Sequence, residues 1–256
     1  MDFNVDNLKD MMHTCMRFLE VGNFDISKEP DYKEIKNKNF IRFVENRLEE
    51  QENELFLTME RVNLEITFRS VLSKVYTHRE DKHHRILLLL YPDETLKGKS
   101  LTKDGVKKFL NLMRLLDCKE GVLISEKNMA PQARKEFESC NIETSISSDI
   151  YNVIFYNDGD FINIVDHISC PKIKRVIKTK EEIQNFEDEN MVKIKNIPKI
   201  ESNDPLVKFF RAKLGNIFEF EREMLVDNMI QNKELYFRIV IPPHSSKKET
   251  QGKNAK

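Results

Sequence analysis

Residues 203–222 read NDPLVKFFRAKLGNIFEFER. Asn203 can cap a helix, and Pro205 suits its first turn, where no backbone N–H is needed. Leu206, Phe209 and Phe210 follow at i, i+3 and i+4, on one face. Gly215 is expected to end the helix, because glycine takes the left-handed terminal turn without steric cost. Phe218 and Phe220 then alternate with Glu219 and Glu221, which is strand period. The stretch contains no nucleophile, metal-ligand pattern or phosphate loop. It reads as a packing unit, so the rest of the chain must say what the unit is for.

The chain has 256 residues, enough for one large domain or two small ones. Apolar residues make up 39% and charged residues 33%, which describes a folded, highly charged protein. Seven glycines leave little room for glycine-rich nucleotide loops. With 42 basic and 43 acidic residues, any surface for nucleic acid must be local. Cys15, Cys118, Cys140 and Cys170 form no C-x-x-C pair, which excludes a zinc ribbon, and they read as buried small hydrophobes in a reducing compartment. The acidic N-terminus MDFNVDNLKD does not read as a signal peptide. The longest apolar run, Ile86–Tyr91, falls far short of a membrane span.

Leu8, Met11, Met12, Cys15, Met16 and Leu19 form a helical stripe closed by Gly22. A second helix is expected from Asp31 to Glu54, with Ile35, Phe40, Val44 and Leu48 inward. A β-rich region begins near Leu64, and Ile86–Tyr91 suits a strand buried on both faces. Pro92 stops it. Val106, Phe109, Leu110, Met113 and Leu116 mark another helix, GVLIS (Gly121–Ser125) a strand, and Pro131 the start of a further helix. This order predicts a sheet with helices packed on it. The polar step YNDGD (Tyr156–Asp160) is the expected domain boundary. Beyond it Phe161–Val165 reads as a strand, Lys180–Glu189 as a charged helix and Leu235–Ile241 as the last strand.

Three places bear on chemistry. THREDKHHR gathers His78, His83 and His84, but the adjacent histidines point apart, and a solvated loop between strands is the better reading. A metal nuclease would need Asp93, Glu94 and Lys97 or Lys127 held rigidly at strand ends; Pro92 throws the acids into a loop, and the acid–x–lysine step is absent. The basic run CPKIKRVIKTK interleaves Ile173, Val176 and Ile177 with its charges, as a half-buried strand or an interface edge would.

The opening stretch, extended upstream to IPKIESNDPLVKFFRAKLG, resembles the C-terminal assembly module of the subunit shared by eukaryotic nuclear RNA polymerases I, II and III, a family with an archaeal counterpart. Ile197, Pro198, Lys199 and Ile200 match its first strand. Asp204, Pro205, Phe209, Phe210, Lys213 and Gly215 match the helix that follows. Tyr236-Phe237-Arg238-Ile239-Val240 resembles the closing strand, and Phe161–Ile164 with His167 and Pro171 the opening segment. Upstream, Leu90-Tyr91-Pro92 resembles a strand end of the family, and Met129-Ala130-Pro131-Gln132-Ala133 its Met-Thr-Pro-Ser-Ala turn. The departures are Arg211 where the family has glycine, Leu214 where it has arginine, two extra residues before Thr179, the longer connection EREMLVDNMIQNKEL, and the tail. The chain is thus identified as a divergent member.

The resemblance implies an α+β protein. Residues 1–157 would form an α/β jaw domain, nuclease-like in fold but non-catalytic. Residues 158–241 would form a C-terminal assembly domain with a small mixed sheet and two helices, and 242–256 a disordered tail. It further implies a non-catalytic nuclear polymerase subunit, or one of a viral factory or virion if virus-encoded. No cofactor, metal or membrane is implied. Docking on the largest subunit would use His167, Pro171, Pro198, Asp204, Pro205, Phe209, Phe210, Lys213, Tyr236 and Arg238. Ala130, Pro131, Gln132, Arg134 and Lys135 would lie near downstream duplex DNA and bind it weakly and without sequence preference. A metal nuclease of related fold and a free-standing adaptor remain as alternatives.

Overall fold

A computed structural model of the chain describes residues 4–50, 53–92, 100–140, 151–162, 172–226 and 229–243. It divides into two compact units, Met1–His167 and Ile168–Lys256, each built on its own four-stranded sheet.

The first unit opens with α1 (Val5–Val21), capped by the Asn4 side chain, which accepts from the Asn7 N–H. Its apolar stripe buries Leu8, Met11, Met12, Cys15, Phe18 and Leu19, and Gly22 closes it as expected. The single helix expected over Asp31–Glu54 is two helices, α2 (Asn37–Leu48) and α3 (Glu54–Arg61). The break has a local cause: the Asn53 carboxamide accepts from the Leu55 N–H and starts a new helix. Phe40 and Val44 are buried, but Leu48 is 42% exposed at the end of α2. The region from Leu64 begins with a single 3-10 turn, Ser70–Leu72, before β1 (Lys74–Thr77).

Strand β2 (Arg85–Leu90) pairs antiparallel with β1 and parallel with β3 (Glu120–Ser125). It is buried from Ile86 to Leu90, as its unbroken apolar run requires. Helix α4 (Lys103–Leu115) forms the β2–β3 crossover, and α5 (Pro131–Ser139) follows β3. Gly121 lets α4 approach, since a Cβ there would lie 2.5 Å from the Met113 sulfur and 2.7 Å from Phe109. A strand that sequence reading missed, β4 (Asn152–Asn157), pairs parallel with β3 and buries Val153 and Tyr156. Burial pushes the Cys118 thiol up to about 11 and the Cys15 thiol further still, so both sit in the core as neutral groups. Cys170 lies outside the described residues.

The YNDGD step belongs to this unit. Tyr156 and Asn157 end β4, and Asp158 begins a short helix, α6 (Asp158–Ile162), which packs on α1. The Tyr156 ring lies 4.6 Å from that of Phe161 and 6.2 Å from that of Phe18. Phe161 and Ile162 are therefore helical rather than the start of a strand, and residues 163–165 lie outside the described residues. The division between units falls after His167.

The second unit runs β5 (Lys172–Ile177), α7 (Lys180–Asn190), β6 (Lys199–Glu201), α8 (Pro205–Phe209), β7 (Ile217–Val226) and β8 (Met229–Ile241), with sheet order β5-β7-β8-β6. Thr179 and Glu182 form a reciprocal capping box at the start of α7. One face of the sheet, with Phe218, Phe220 and Val240, packs against Val207, Leu206 and Phe210 from the α8 segment. The other, with Ile177, Ile217 and Ile239, packs against Ile183 and Phe186 of α7. The long 221–235 connection extends the β7–β8 hairpin, which stays in antiparallel register from Ile217↔Ile239 out to Val226↔Met229, with one bulge.

The opening stretch folds differently in detail. Asp204, not Asn203, caps α8, its carboxylate accepting from the Leu206 N–H at 2.9 Å. The helix ends at Phe209, and the left-handed residue just beyond it is Arg211, with φ 51°. Gly215, with φ 85°, serves a second turn into β7, where its N–H donates to the Val240 carbonyl. The inward residues are Val207 and Phe209, while Leu206 and Phe210 are half-buried.

Candidate functional site

Three parallel strands of the first sheet end side by side, the place where open α/β sheets hold ligands. Here that end is closed by one buried side chain. Arg69, whose side chain is 3% exposed, donates through Nε to the Tyr91 carbonyl just after β2 at 3.1 Å. Its Nη1 and Nη2 reach the two oxygens of Asp158, just after β4, at 2.6 and 2.5 Å. The Glu126 carboxylate, just after β3, lies 3.7 Å from Nη1 and is half exposed. One guanidinium thus links the ends of three strands and neutralises their acids from within the chain. Sequence reading missed this site, because Arg69 and Asp158 are 89 positions apart and the YNDGD step that holds Asp158 reads as a linker.

Of the residues weighed for metal chemistry, the described ones are engaged elsewhere. Asp93, Glu94 and Lys97 lie outside the described residues. The Lys127 N–H is held by the Ser125 hydroxyl at 3.0 Å. His78 and His84 stack at 5.0 Å against Phe24 in the turn between β1 and β2, and His84 Nε2 lies 3.0 Å from Glu120. Among the described residues no group of three His, Cys, Asp or Glu side chains is placed to hold a metal ion.

The Pro131 turn is anchored from below. A bridge joins Leu101 to Met129, and the Ala130 N–H donates to the Leu101 carbonyl at 2.9 Å. Ala130 is the N-cap of α5 without a side-chain cap, and Pro131 occupies the first turn. Ala133 and Phe137 are buried, with the Phe137 ring stacked 6.3 Å from Phe109. The opposite face carries Pro131, Gln132, Arg134 and Lys135, all exposed. The helix therefore presents its partial positive end and two cations on one outward surface.

In the second unit the residues flagged for docking separate into supports and surface. Asp204 caps α8, Pro205 fills its first turn, and Phe209 is buried. An aromatic ladder then runs outward along one sheet face. Phe210 meets Phe218 edge-on at 6.0 Å, Phe218 stacks on Phe220 at 5.7 Å, and Phe220 stacks on Tyr236 at 4.9 Å. Its two ends, Phe210 and Tyr236, are half-buried, and Arg238, opposite Phe218 in register, is exposed. Arg238 Nη1 donates to the Lys199 carbonyl at 3.3 Å, and the Pro198 carbonyl accepts from the Ile239 N–H at 2.9 Å, so Pro198 stands at the same edge. Lys213 is exposed on a loop fixed by the Asn216 carboxamide, which accepts from the Lys213 N–H at 2.7 Å. His167 and Pro171 lie outside the described residues.

On the opposite face Glu219 is buried and bonded by Arg175 at 2.5 Å and Lys174 at 3.2 Å, both from the basic strand β5. Burial pushes its carboxyl up, but the hydrogen bonds and charges of Arg175 and Lys174 outweigh that and hold it below the ordinary value. The basic run is thus partly consumed inside the sheet.

Residues 162–240, nearly all of this second unit, match the family described as RNA polymerase Rpb5, C-terminal domain. This part of the chain is thus similar to the Rpb5 C-terminal domain. A relative from Dictyostelium discoideum, named DNA-directed RNA polymerases I, II, and III subunit rpabc1, is 21% identical over 148 residues, 58% of this chain and 70% of the relative. Within the matched Rpb5 domain lie the aromatic ladder, the capped α8 and the Glu219 pair. Arg69, Asp158 and the Pro131 turn lie ahead of it.

Proposed function

We propose that the chain is a non-catalytic subunit shared among nuclear DNA-directed RNA polymerases, and that its C-terminal unit docks on the largest subunit. The observation that carries this reading is the match of residues 162–240 to the Rpb5 C-terminal domain. The surface that suits docking is the sheet face whose ladder ends in Phe210 and Tyr236, with Arg238 and Pro198 at its edge and Lys213 on the exposed loop after α8. Half-buried aromatic side chains with an arginine close by are the usual composition of a binding hot spot. Asp204, Pro205 and Phe209 act from beneath, by fixing α8 so that Phe210 faces outward.

The first unit lies beside downstream duplex DNA in this reading, with the N-terminus of α5 toward the phosphates. Backbone N–H groups of a helix start and the cations Arg134 and Lys135 suit phosphate contacts that position a duplex without reading its sequence. The Arg69–Asp158 closure of the sheet end supports a non-catalytic role, since it uses acids there for packing.

Affinity purification of the tagged chain from nuclear extract tests the reading. The largest polymerase subunits should co-purify in near-equal amount. Recovery of the chain without them would overturn it.

A further inference from the structure

A cavity of about 410 Å³ opens in the first unit between α2, the start of α3 and the β1–β2 edge of the sheet. It plays no part in the polymerase reading above. Its charge is uneven with depth. At the bottom lies Arg47, only 9% exposed, whose Nε has no hydrogen-bond partner. One of its terminal nitrogens donates to the Ser73 carbonyl at 3.3 Å, and its guanidinium carbon stands 5.8 Å from the centre of the Phe43 ring. No carboxylate among the described residues pairs with it. Arg85, half-buried on β2, also lines the cavity and also lacks one.

The deep acid is already taken. Glu29 is bonded by Lys74 on one oxygen and by the Tyr32 hydroxyl on the other, at 2.7 Å. The remaining acids, Glu50 and Glu54, are exposed at the mouth, where Lys28 is exposed too. The interior is therefore cationic and the mouth mixed. Phe43, Leu55, Val75 and Leu116 supply apolar wall.

A buried, incompletely bonded guanidinium is costly unless something bonds it. A planar carboxylate fits an arginine fork. A dianion such as phosphate would be opposed by Glu50 and Glu54 at the entrance, whereas a monoanion on a hydrocarbon stem would meet less repulsion and could line the apolar wall. We propose that this cavity binds an aliphatic monocarboxylate, its head on Arg47 and Arg85 and its stem against Phe43, Leu55, Val75 and Leu116. The carboxylate could be a free acid or a glutamate side chain of a protein partner.

The test is NMR titration of the full chain labelled with ¹⁵N-arginine, following the Nε–Hε signals of Arg47 and Arg85. The probes are sodium hexanoate, the capped tripeptide acetyl-Ala-Glu-Ala-amide, hexylammonium chloride and inorganic phosphate, at matched ionic strength. Hexanoate or the tripeptide should shift both signals to saturation, hexylammonium should not, and the stronger of the two carboxylates tells a free acid from a partner side chain. Arg85→Gln, at a half-buried site, should weaken binding by about tenfold through loss of a charge-assisted bond. Any of three results overturns the proposal: no saturating carboxylate shift, an equal response to phosphate, or unchanged affinity in Arg85→Gln.

Discussion

The guanidinium of Arg69 meets the carboxylate of Asp158 in a two-point ion pair, at 2.6 and 2.5 Å, across 89 positions of sequence. Arg69 also holds the end of β2 through the Tyr91 carbonyl. Removing one partner leaves a charge buried without compensation, which costs roughly 3–5 kcal/mol. Asp158→Ala should therefore destabilise the first unit by about that much in denaturant unfolding. Glu126→Ala, at a half-exposed carboxylate, should cost below about 1 kcal/mol. Equal losses from the two substitutions would show that the pair is not the tie it is taken to be.

Phe209 and Phe210 are adjacent but differ in burial, Phe209 being 1% exposed and Phe210 half-buried at the end of the ladder. Phe209→Ala should lose about 3–5 kcal/mol and unfold the second unit or nearly so. Phe210→Ala should keep the fold, with a smaller drop in melting temperature, and lose co-purification with the largest subunit. Melting curves and pull-down yields distinguish the two. If both variants fold and assemble normally, α8 is not part of the docking block.

Glu219 makes the stability of the second unit depend on acid. Its folded pKa lies below the ordinary glutamate value of about 4.3. Its contribution is thus fully present above that value and is lost as pH falls through the lower folded pKa. In Glu219→Gln the loss of stability as pH falls below the ordinary glutamate value should be shallower than in the parent chain, because one proton fewer is taken up on unfolding. Parallel unfolding curves across that range would contradict the assignment.

The start of α5 offers a direct test of the DNA reading. A photo-crosslinker at Gln132 or Lys135, both exposed, should capture downstream duplex in an assembled polymerase. One at Lys213 in the second unit should not. Arg134→Ala with Lys135→Ala should lower the salt dependence of DNA retention, since fewer counterions would be released. Crosslinks confined to the second unit would remove α5 from the DNA path.

The amino-acid sequence alone determined whatever depends on neighbours within a few residues. Apolar stripes marked α1 and α4, the unbroken run Ile86–Leu90 marked a strand buried on both faces, and the Asp-Pro step with two phenylalanines marked α8 and the resemblance to the polymerase assembly module. Those signals arise from helix and strand period, which a short window carries. Tertiary structure decided the rest. YNDGD looks like a linker because it is polar and turn-forming. It became the tie-point of the first sheet because Arg69, distant in sequence, needs a carboxylate there. Glu219 looks like the wet side of an edge strand, yet pairing of β7 with β5 sets it opposite Arg175 and buries it. Arg211 holds a left-handed turn that a side chain normally costs about 1 kcal/mol to enter. Two hydrogen bonds at the end of α8, from the Arg211 N–H to the Lys208 carbonyl at 3.1 Å and from the Ala212 N–H to the Val207 carbonyl at 3.0 Å, hold it there, a helix stop that its residue type does not announce.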